Sequence, residues 1–195
     1  MMAGWKEKNR DYEAFYLRIT TDFRESKQKR NWLVHFNTAS KYVMYIGYAV
    51  LLLFSLWNGR VSTVSGLALG VSDGSMESIS AFPIHFLKCL LIPAIGFLLE
   101  TILRAKINRK RPYESFSIQP LILKNTKGKS FPSRHVFSAT IISMAWLYMV
   151  PAVGAVMLLL TLAIAWVRVA AGVHYPSDVA AGGILGVLIG LIFFL

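Results

Sequence analysis

Three short stretches of the chain hold residue types from which phosphoryl chemistry can be built. The first is Arg104 with Arg111-Pro112, the second is Pro132-Ser133-Arg134-His135, and the third is Arg168 followed by His174 and Asp178. A phosphate monoester or diphosphate carries its charge on oxygen, and transfer of its phosphoryl group needs guanidinium and N–H donors to hold that charge. Arg104, Arg111, Ser133, Arg134 and Arg168 are candidates for such a clamp. An imidazole can attack phosphorus when a carboxylate holds its other ring nitrogen, and His174 with Asp178 supplies that pair. His135 is a second imidazole, able to protonate a departing alkoxide and then to activate water. Pro132 suits the first position of a helix, which would leave Ser133, Arg134 and His135 in a first turn with free N–H groups. Pro176 would open a later helix with Asp178 in its first turn, so two helix starts, each a ready anion site, are expected to converge.

Each residue also has a plainer reading. A basic run such as Arg104 to Arg111 commonly anchors a helix to headgroups, Asp178 could complement a helix dipole, and a histidine near an interface is often a structural hydrogen-bonding group. It is the joint order and spacing that favours chemistry. His135, His174 and Asp178 could in principle form a two-histidine, one-carboxylate metal site. The surrounding arginines disfavour a cation, and Glu114 is the one other carboxylate nearby in sequence, so no metal and no cofactor are expected. His35 and His85 lie outside the constellation and receive no role.

The elements that position these residues must cross a membrane. Of 195 residues 55% are hydrophobic, too many for an ordinary soluble domain. The formal charge of +11 sits mainly in two blocks, residues 1–41 and 104–134. Because the basic residues alternate with long apolar segments, the expected partners are anionic lipids and a phosphorylated substrate, with no nucleic acid. Cys89 lies inside an apolar segment as a packing residue. The first 40 residues are charged and lack a signal-peptide core, so the N-terminus is expected to be retained. Tyr12, Phe15, Tyr16, Ile19 and Phe23, at spacings of three and four, predict an amphipathic helix over residues 5–30 lying on the membrane surface. Apolar crossings are predicted over Tyr42–Trp57, Phe82–Leu103, Val136–Val150, Ala152–Val167 and Val179–Leu195, with residues 61–81 a loop or re-entrant piece that leaves room for a sixth. Gly182, Gly183, Gly186 and Gly190 give the last span a small-residue face. The expected fold is all-α, a polytopic transmembrane helix bundle of five to six spans with an N-terminal amphipathic helix. If the spans run antiparallel, all three chemical stretches fall at one membrane face.

The same three stretches resemble the tripartite signature of the type 2 phosphatidic acid phosphatase (PAP2) superfamily: Lys-x6-Arg-Pro, Pro-Ser-Gly-His, and Ser-Arg-x5-His-x3-Asp. Here they read Arg104-x6-Arg111-Pro112, Pro132-Ser133-Arg134-His135 and Val167-Arg168-x5-His174-x3-Asp178. Arg104 stands for the motif Lys, Arg134 for its Gly and Val167 for its Ser. The first keeps the charge, the last loses a hydroxyl donor, and none removes a catalytic group. The resemblance implies that His174 is the nucleophile, Asp178 its orienting partner, His135 the general acid and base, and the arginines with Ser133 the phosphate clamp. The match covers roughly residues 82–195, and the chain is expected to divide into a 1–40 N-terminal basic amphipathic segment and a 41–195 PAP2-like transmembrane phosphatase domain. The function expected is metal-independent hydrolysis of a lipid phosphate or diphosphate: undecaprenyl diphosphate, phosphatidic acid or phosphatidylglycerophosphate. Phosphotransfer from the same phosphohistidine, or non-catalytic binding of anionic lipid, are the alternatives. The expected location is the cell membrane. Charge asymmetry favours a cytoplasmic site, whereas six-span members of the family usually place it outside.

Overall fold

The computed structural model of the chain describes the backbone of residues 2–68 and 77–195, and the side chains of residues 11–57 and 84–195. Every regular element among them is helical. In chain order they are α1 (Met2–Glu25), α2 (Lys27–Ala68), α3 (Glu77–Ile107), the short α4 (Pro112–Ser115), α5 (Arg134–Met149), α6 (Pro151–Ala170) and α7 (Pro176–Gly190), closed by a 3-10 turn at Leu191–Phe194. Four helical stretches are long and apolar enough to cross a bilayer: Lys27–Trp57, Ile84–Ser115, Pro151–Ala170 and Pro176–Phe194. The protein is therefore a multi-pass membrane protein of the expected all-helical kind.

α5 is the exception that organises the rest. Its 16 residues span only about 24 Å at 1.5 Å each, but every residue from Val136 to Trp146 except Ser138 is buried. A helix apolar on all sides belongs at the centre of a bundle. Its polar groups are satisfied internally: Thr140 donates to the Val136 carbonyl, and Ser143 donates to that of Ala139 and pairs with Thr161 of α6. The surrounding helices turn large apolar side chains outward, including Tyr45, Leu53, Leu98, Leu159, Leu162 and Ile184. Lipid tails are the solvent in which such a surface costs nothing.

α7 lies against α5 through three of the four predicted glycines. A methyl group at Gly182 would stand 2.6 Å from the Ser133 carbonyl oxygen, one at Gly186 2.7 Å from Thr140 Cβ, and one at Gly190 2.6 Å from Met144 Cβ. Gly183 looks elsewhere, its nearest neighbour being Val136 Cγ1 at 3.9 Å.

Several elements differ from the sequence expectation. α2 is one 42-residue helix that runs through Asn58-Gly59-Arg60, so residues 61–68 and 77–81 are helical and only 69–76 lie outside the described residues. The expected boundary between residues 40 and 41 falls inside this helix. Polar residues there suggested a stop, but a long helix tolerates them once propagation is under way. Pro112, Pro151 and Pro176 each open a helix, whereas Pro132 does not. α5 begins two residues later at Arg134, with Ser133 as an extended N-cap whose N–H donates to the Asp178 carbonyl at 2.9 Å.

α1 is the predicted amphipathic helix, and part of its aromatic stripe packs on protein: Tyr16 and Thr20 are fully buried, Phe15 stays exposed, and Tyr16 donates to the Gln119 and Ala170 carbonyls at 3.3 and 3.4 Å. Tyr12 stacks on Phe116, with ring centroids 4.4 Å apart, and tilts against Tyr175. Arg24 donates to the Gln119 carbonyl, and the Ser117 N–H donates to Glu13. The helix thus covers loop 116–121 and the turn between α6 and α7 at one end of the bundle.

Candidate active site

All three chemical stretches meet at that end. α3 stops at Ile107 because Asn108 turns left-handed, φ 42°, a conformation asparagine tolerates better than most residues. The chain that follows clasps the segment before α5: the Ser130 N–H donates to the Arg109 carbonyl at 2.9 Å, and the Lys129 N–H to Asn108 Oδ1 at 3.2 Å. Gly128, at φ 62°, places its N–H 2.8 Å from Glu114 Oε2, which also accepts from the Arg111 N–H. The site therefore rests on a cross-braced loop whose backbone polar groups are largely paired.

His174 sits in the α6–α7 turn with 2% of its surface exposed. Its Nδ1 lies 2.8 Å from the Ser130 carbonyl oxygen and 3.6 Å from Asp178 Oδ2. A carbonyl can only accept, so Nδ1 carries the proton and Nε2 keeps its lone pair. Burial, the larger cause, together with the charges of Arg111 and Arg168, pulls the His174 pKa down to about 4 against the opposing effect of Asp178. The imidazole is consequently neutral at physiological pH.

Asp178, the N3 residue of α7, is fully buried. Its Oδ1 receives Arg109 Nη1 at 2.7 Å, and its Oδ2 receives the Ser130 hydroxyl and the Tyr175 N–H, the latter at 3.0 Å. It is thus close to His174, as expected, but the direct partner of the ring is the Ser130 carbonyl. The carboxylate holds Ser130 and so acts on the ring through it. Arg109 also covers the Tyr175 ring, 4.0 Å from its centroid.

The predicted clamp divides into two groups. Arg104 is buried and occupied: Nη1 donates to the Pro132 carbonyl at 2.6 Å, Nη2 donates to that of Lys129, and Nε faces Glu100 at 3.4 Å. Arg134 turns toward α3, where Nε meets Glu100 Oε2 at 3.1 Å, Nη2 meets Thr101 at 3.1 Å, and the guanidinium lies over Phe97. Glu100, fully buried between two arginines, holds both. Arg111 braces the loop through the Gly128 and Val173 carbonyls, both at 3.1 Å, and engages them with Nε and Nη1.

Arg168 and Ser133 are different. Arg168, in the last turn of α6, is 3% exposed, forms no ion pair among the described residues, and leaves its Nε without a partner. Ser133 Oγ is likewise buried and unpartnered. An isolated buried cation and hydroxyl are costly unless a ligand completes them.

His135, in the first turn of α5, lines a cavity of about 260 Å³ together with Ser40, Lys41 and Tyr45 of α2, Phe97 of α3 and Ile164 of α6. A second, more apolar hollow lined by Tyr48, Pro93, Ala94, Phe137 and Ile141 shares Tyr45, Phe97, Ser138 and Ile142 with the first. The two hollows adjoin along these shared residues, giving a groove beside His135 between α2, α3 and α5. Lys124, in the loop before α5, is half-buried; desolvation and then the charges of Arg168, Arg111, Arg104 and Lys41 lower its pKa to about 8.

Among the described residues no group of three or more histidine, cysteine, aspartate and glutamate side chains is arranged to hold a metal ion. The sequence reading gave no role to Ser130, Arg109 or Glu100, which hold the site's geometry. Arg109 was hidden as a helix-flanking charge, Glu100 as a charge within a span, and nothing in the local pattern singles out Ser130.

A family model described as the PAP2 superfamily matches residues 85–195, more than half the chain and all three stretches. The chain belongs to the PAP2 superfamily. Within that phosphatase family, it is 27% identical over 110 residues to a protein named undecaprenyl-diphosphatase BcrC from Bacillus subtilis (strain 168), the match covering 56% of each chain. The alignment thus spans little more than half of that relative. The fold is similar to the crystal structure of Aquifex aeolicus LpxE, with a TM-score of 0.63, 20% identity and 93% of each chain covered. A PAP2-type phosphatidylglycerolphosphate phosphatase from Bacillus subtilis aligns with a TM-score of 0.45 and 18% identity over 93% of this chain and 91% of that one.

Proposed function

We propose that this PAP2 protein hydrolyses a lipid phosphate monoester or diphosphate through a phosphohistidine on His174, without a metal. The observation that carries the reading is Arg168, a buried guanidinium with an unpartnered Nε, set near the neutral His174. A phosphoryl group supplies the charge and acceptors that Arg168 and Ser133 lack, and Arg111 has N–H groups left to add.

In the proposed reaction the Nε2 lone pair of His174 attacks phosphorus. The N–P bond forms as the bond to the leaving oxygen breaks, and the electron pair departs with that oxygen. Protonation by His135 would assist an alkoxide leaving group. The Nδ1 proton stays on the ring, hydrogen-bonded to the Ser130 carbonyl, so the intermediate is a phosphoimidazolium that Asp178 stabilises from 3.6 Å. Water, activated by His135, then attacks phosphorus and releases inorganic phosphate and free His174. In this reading Arg104 and Arg134 hold the scaffold through loop carbonyls and Glu100 instead of touching phosphate. No metal is needed because the clamp is already cationic and the Asp178 carboxylate is taken up by Arg109, Ser130 and Tyr175.

The groove suits a lipid whose tail stays among α2, α3 and α5. Undecaprenyl diphosphate, the substrate in the name of the Bacillus subtilis relative, joins phosphatidic acid and phosphatidylglycerophosphate as the compounds to test. Phosphate release by purified protein would be followed with all three in EDTA, beside His174→Ala and His135→Ala. Release is expected to persist in EDTA, to vanish in His174→Ala and to fall by about 10²–10⁴-fold in His135→Ala. Activity that survives in His174→Ala would overturn the phosphohistidine. Transfer of label to a hydroxyl acceptor without free phosphate would convert the reading to phosphotransfer.

A further inference from the structure

The α6–α7 turn that carries His174 is gripped from outside by a helix that supplies none of the candidate site residues. α1 lies beyond residues 85–195, the stretch matched by the family model, yet its buried face meets the turn on both sides of His174. On the α6 side, the fully buried Tyr16 donates to the Ala170 carbonyl at 3.4 Å, among the last carbonyls of that helix, and to the Gln119 carbonyl at 3.3 Å. The same hydroxyl occupies the space left by Gly172, at φ 73°, where an added methyl group would come within 2.6 Å of it. On the α7 side, one turn earlier in α1, the Tyr12 ring tilts against Tyr175 with centroids 5.4 Å apart and stacks on Phe116 at 4.4 Å.

These contacts reach the chemistry in few steps. Tyr175 carries the Arg109 guanidinium over its face at 4.0 Å, and that guanidinium donates to Asp178 Oδ1 at 2.7 Å and to Ser177 at 2.9 Å. Asp178 in turn holds the Ser130 hydroxyl, and the Ser130 carbonyl holds His174 Nδ1 at 2.8 Å. A turn has no helical ladder of hydrogen bonds to fix its side chains, so the aim of His174 Nε2 depends on what braces residues 170–175. A reacting group misplaced by about 1 Å can cost about 100-fold in rate, so small changes in that brace should register in turnover.

We propose that Tyr12 and Tyr16 of α1 are positioning residues for phosphoryl transfer, holding the turn that carries His174 through the Ala170 carbonyl on one side and through Tyr175, Arg109 and Asp178 on the other. This inference rests on the phosphatase reading above. The two tyrosines work through different atoms. Tyr16 acts through its hydroxyl, which holds two carbonyls. Tyr12 acts through its ring, because its hydroxyl is buried without a hydrogen-bond partner among the described residues. The same substitution, tyrosine to phenylalanine, should therefore have opposite outcomes at the two positions.

The test follows phosphate release by full-length wild-type protein, Tyr16→Phe, Tyr12→Leu and Tyr12→Phe, each well below its unfolding temperature and per mole of folded protein. Tyr16→Phe should lower kcat by about 3- to 10-fold with little change in KM. Tyr12→Leu should do the same, and the conservative Tyr12→Phe, which keeps the ring, should restore kcat. A helix that only stabilises the fold would lower unfolding temperatures and leave kcat of the folded protein unchanged, and that result would overturn the proposal. Equal losses in Tyr12→Phe and Tyr12→Leu would overturn the role of the ring. A second readout needs no turnover. His174 is faced by Asp178 of α7, Arg168 of α6 and Arg111 of the loop after α3. Loosening Arg109 in Tyr12→Leu leaves the Asp178 carboxylate more strongly felt and admits water, and both favour the imidazolium. The titration of the His174 ring, followed by nitrogen NMR, should then move up from about 4 toward 6.5. An unmoved midpoint would sink the link through Arg109. Wild-type protein that releases no phosphate would overturn the phosphatase reading and this proposal with it, whereas active wild-type protein with unaffected variants would overturn the brace alone.

Discussion

At the scale of single residues, the proposed chemistry depends on a hydrogen bond that the spacing of His174 and Asp178 does not reveal. Helical spacing brings the carboxylate near the ring, yet the ring's proton goes to the Ser130 carbonyl, and Asp178 grips the Ser130 hydroxyl and Arg109 instead. Ser130→Ala keeps the carbonyl but frees Asp178, so kcat should fall by about tenfold with little change in KM, as measured by phosphate release. The pH profile carries a sign. Because burial holds the His174 pKa down at about 4, the proposed nucleophile stays neutral through the physiological range and its acid limb in kcat/KM should lie near pH 4. Asp178 works against that depression, so Asp178→Asn should move the acid limb to still lower pH; a limb moving upward would contradict the arrangement. For stability, the unfolded histidine takes its proton near 6.5, so this contribution is intact above 6.5 and is lost as pH falls toward 4. The histidines, Arg168 and Ser133 were legible in the sequence because their spacing fixes them at helix ends. Ser130 was not, because an irregular loop has no period from which a side chain's direction can be read.

At the scale of elements, the contact of α5 with α7 couples packing to the site. The Ser133 N–H bonds to the Asp178 carbonyl, and Gly182 lies directly against the Ser133 carbonyl, so the two helix starts move as one piece. Gly186→Ala would push a methyl group to 2.7 Å from Thr140 Cβ and 3.1 Å from the Phe137 carbonyl. It should destabilise the protein by about 1–3 kcal/mol, read as a lower unfolding temperature in detergent. Gly183→Ala, which meets only Val136 Cγ1 at 3.9 Å, should be nearly neutral, and an equal effect at both positions would refute the packing argument. The small-residue face was legible, but which glycines touch α5 required the helix's rotation. α1 teaches the same lesson, since an aromatic stripe reads identically whether lipid or a catalytic turn will cover it. The length of α2 was hidden because polar residues resemble a loop until a neighbouring apolar segment is seen to carry the helix through them.

At the scale of the whole molecule, the structure gathers positive charge at the end that holds the site: Arg24 reaches Gln119, Lys41 reaches the cavity of His135, and Arg104 and Arg111 brace the loop. By the bias of basic residues toward the cytoplasm, this end should face inward. A cysteine placed at the exposed Lys127 should resist an impermeant thiol reagent in intact cells and react once the membrane is opened. The native Cys89 is buried and should give little background. Labelling in intact cells would put the site outside. The general fold, an all-helical membrane bundle, followed from composition and apolar segment lengths; the central place of α5 did not, because an apolar segment does not say what surrounds it.

The groove from His135 is lined by residues of α2, α3 and α5, two of which turn apolar side chains toward the bilayer. Pulling a lipid tail into water costs about 0.8 kcal/mol for each methylene, so a chain of even a dozen carbons leaves the leaflet only rarely. A groove that takes the headgroup while the tail stays among its neighbours removes that obstacle. The enzyme then meets its substrate by sideways diffusion in two dimensions. Its speed should follow the mole fraction of substrate in the surrounding leaflet, and diluting the substrate with inert lipid at constant total substrate should slow it as surely as withholding substrate would.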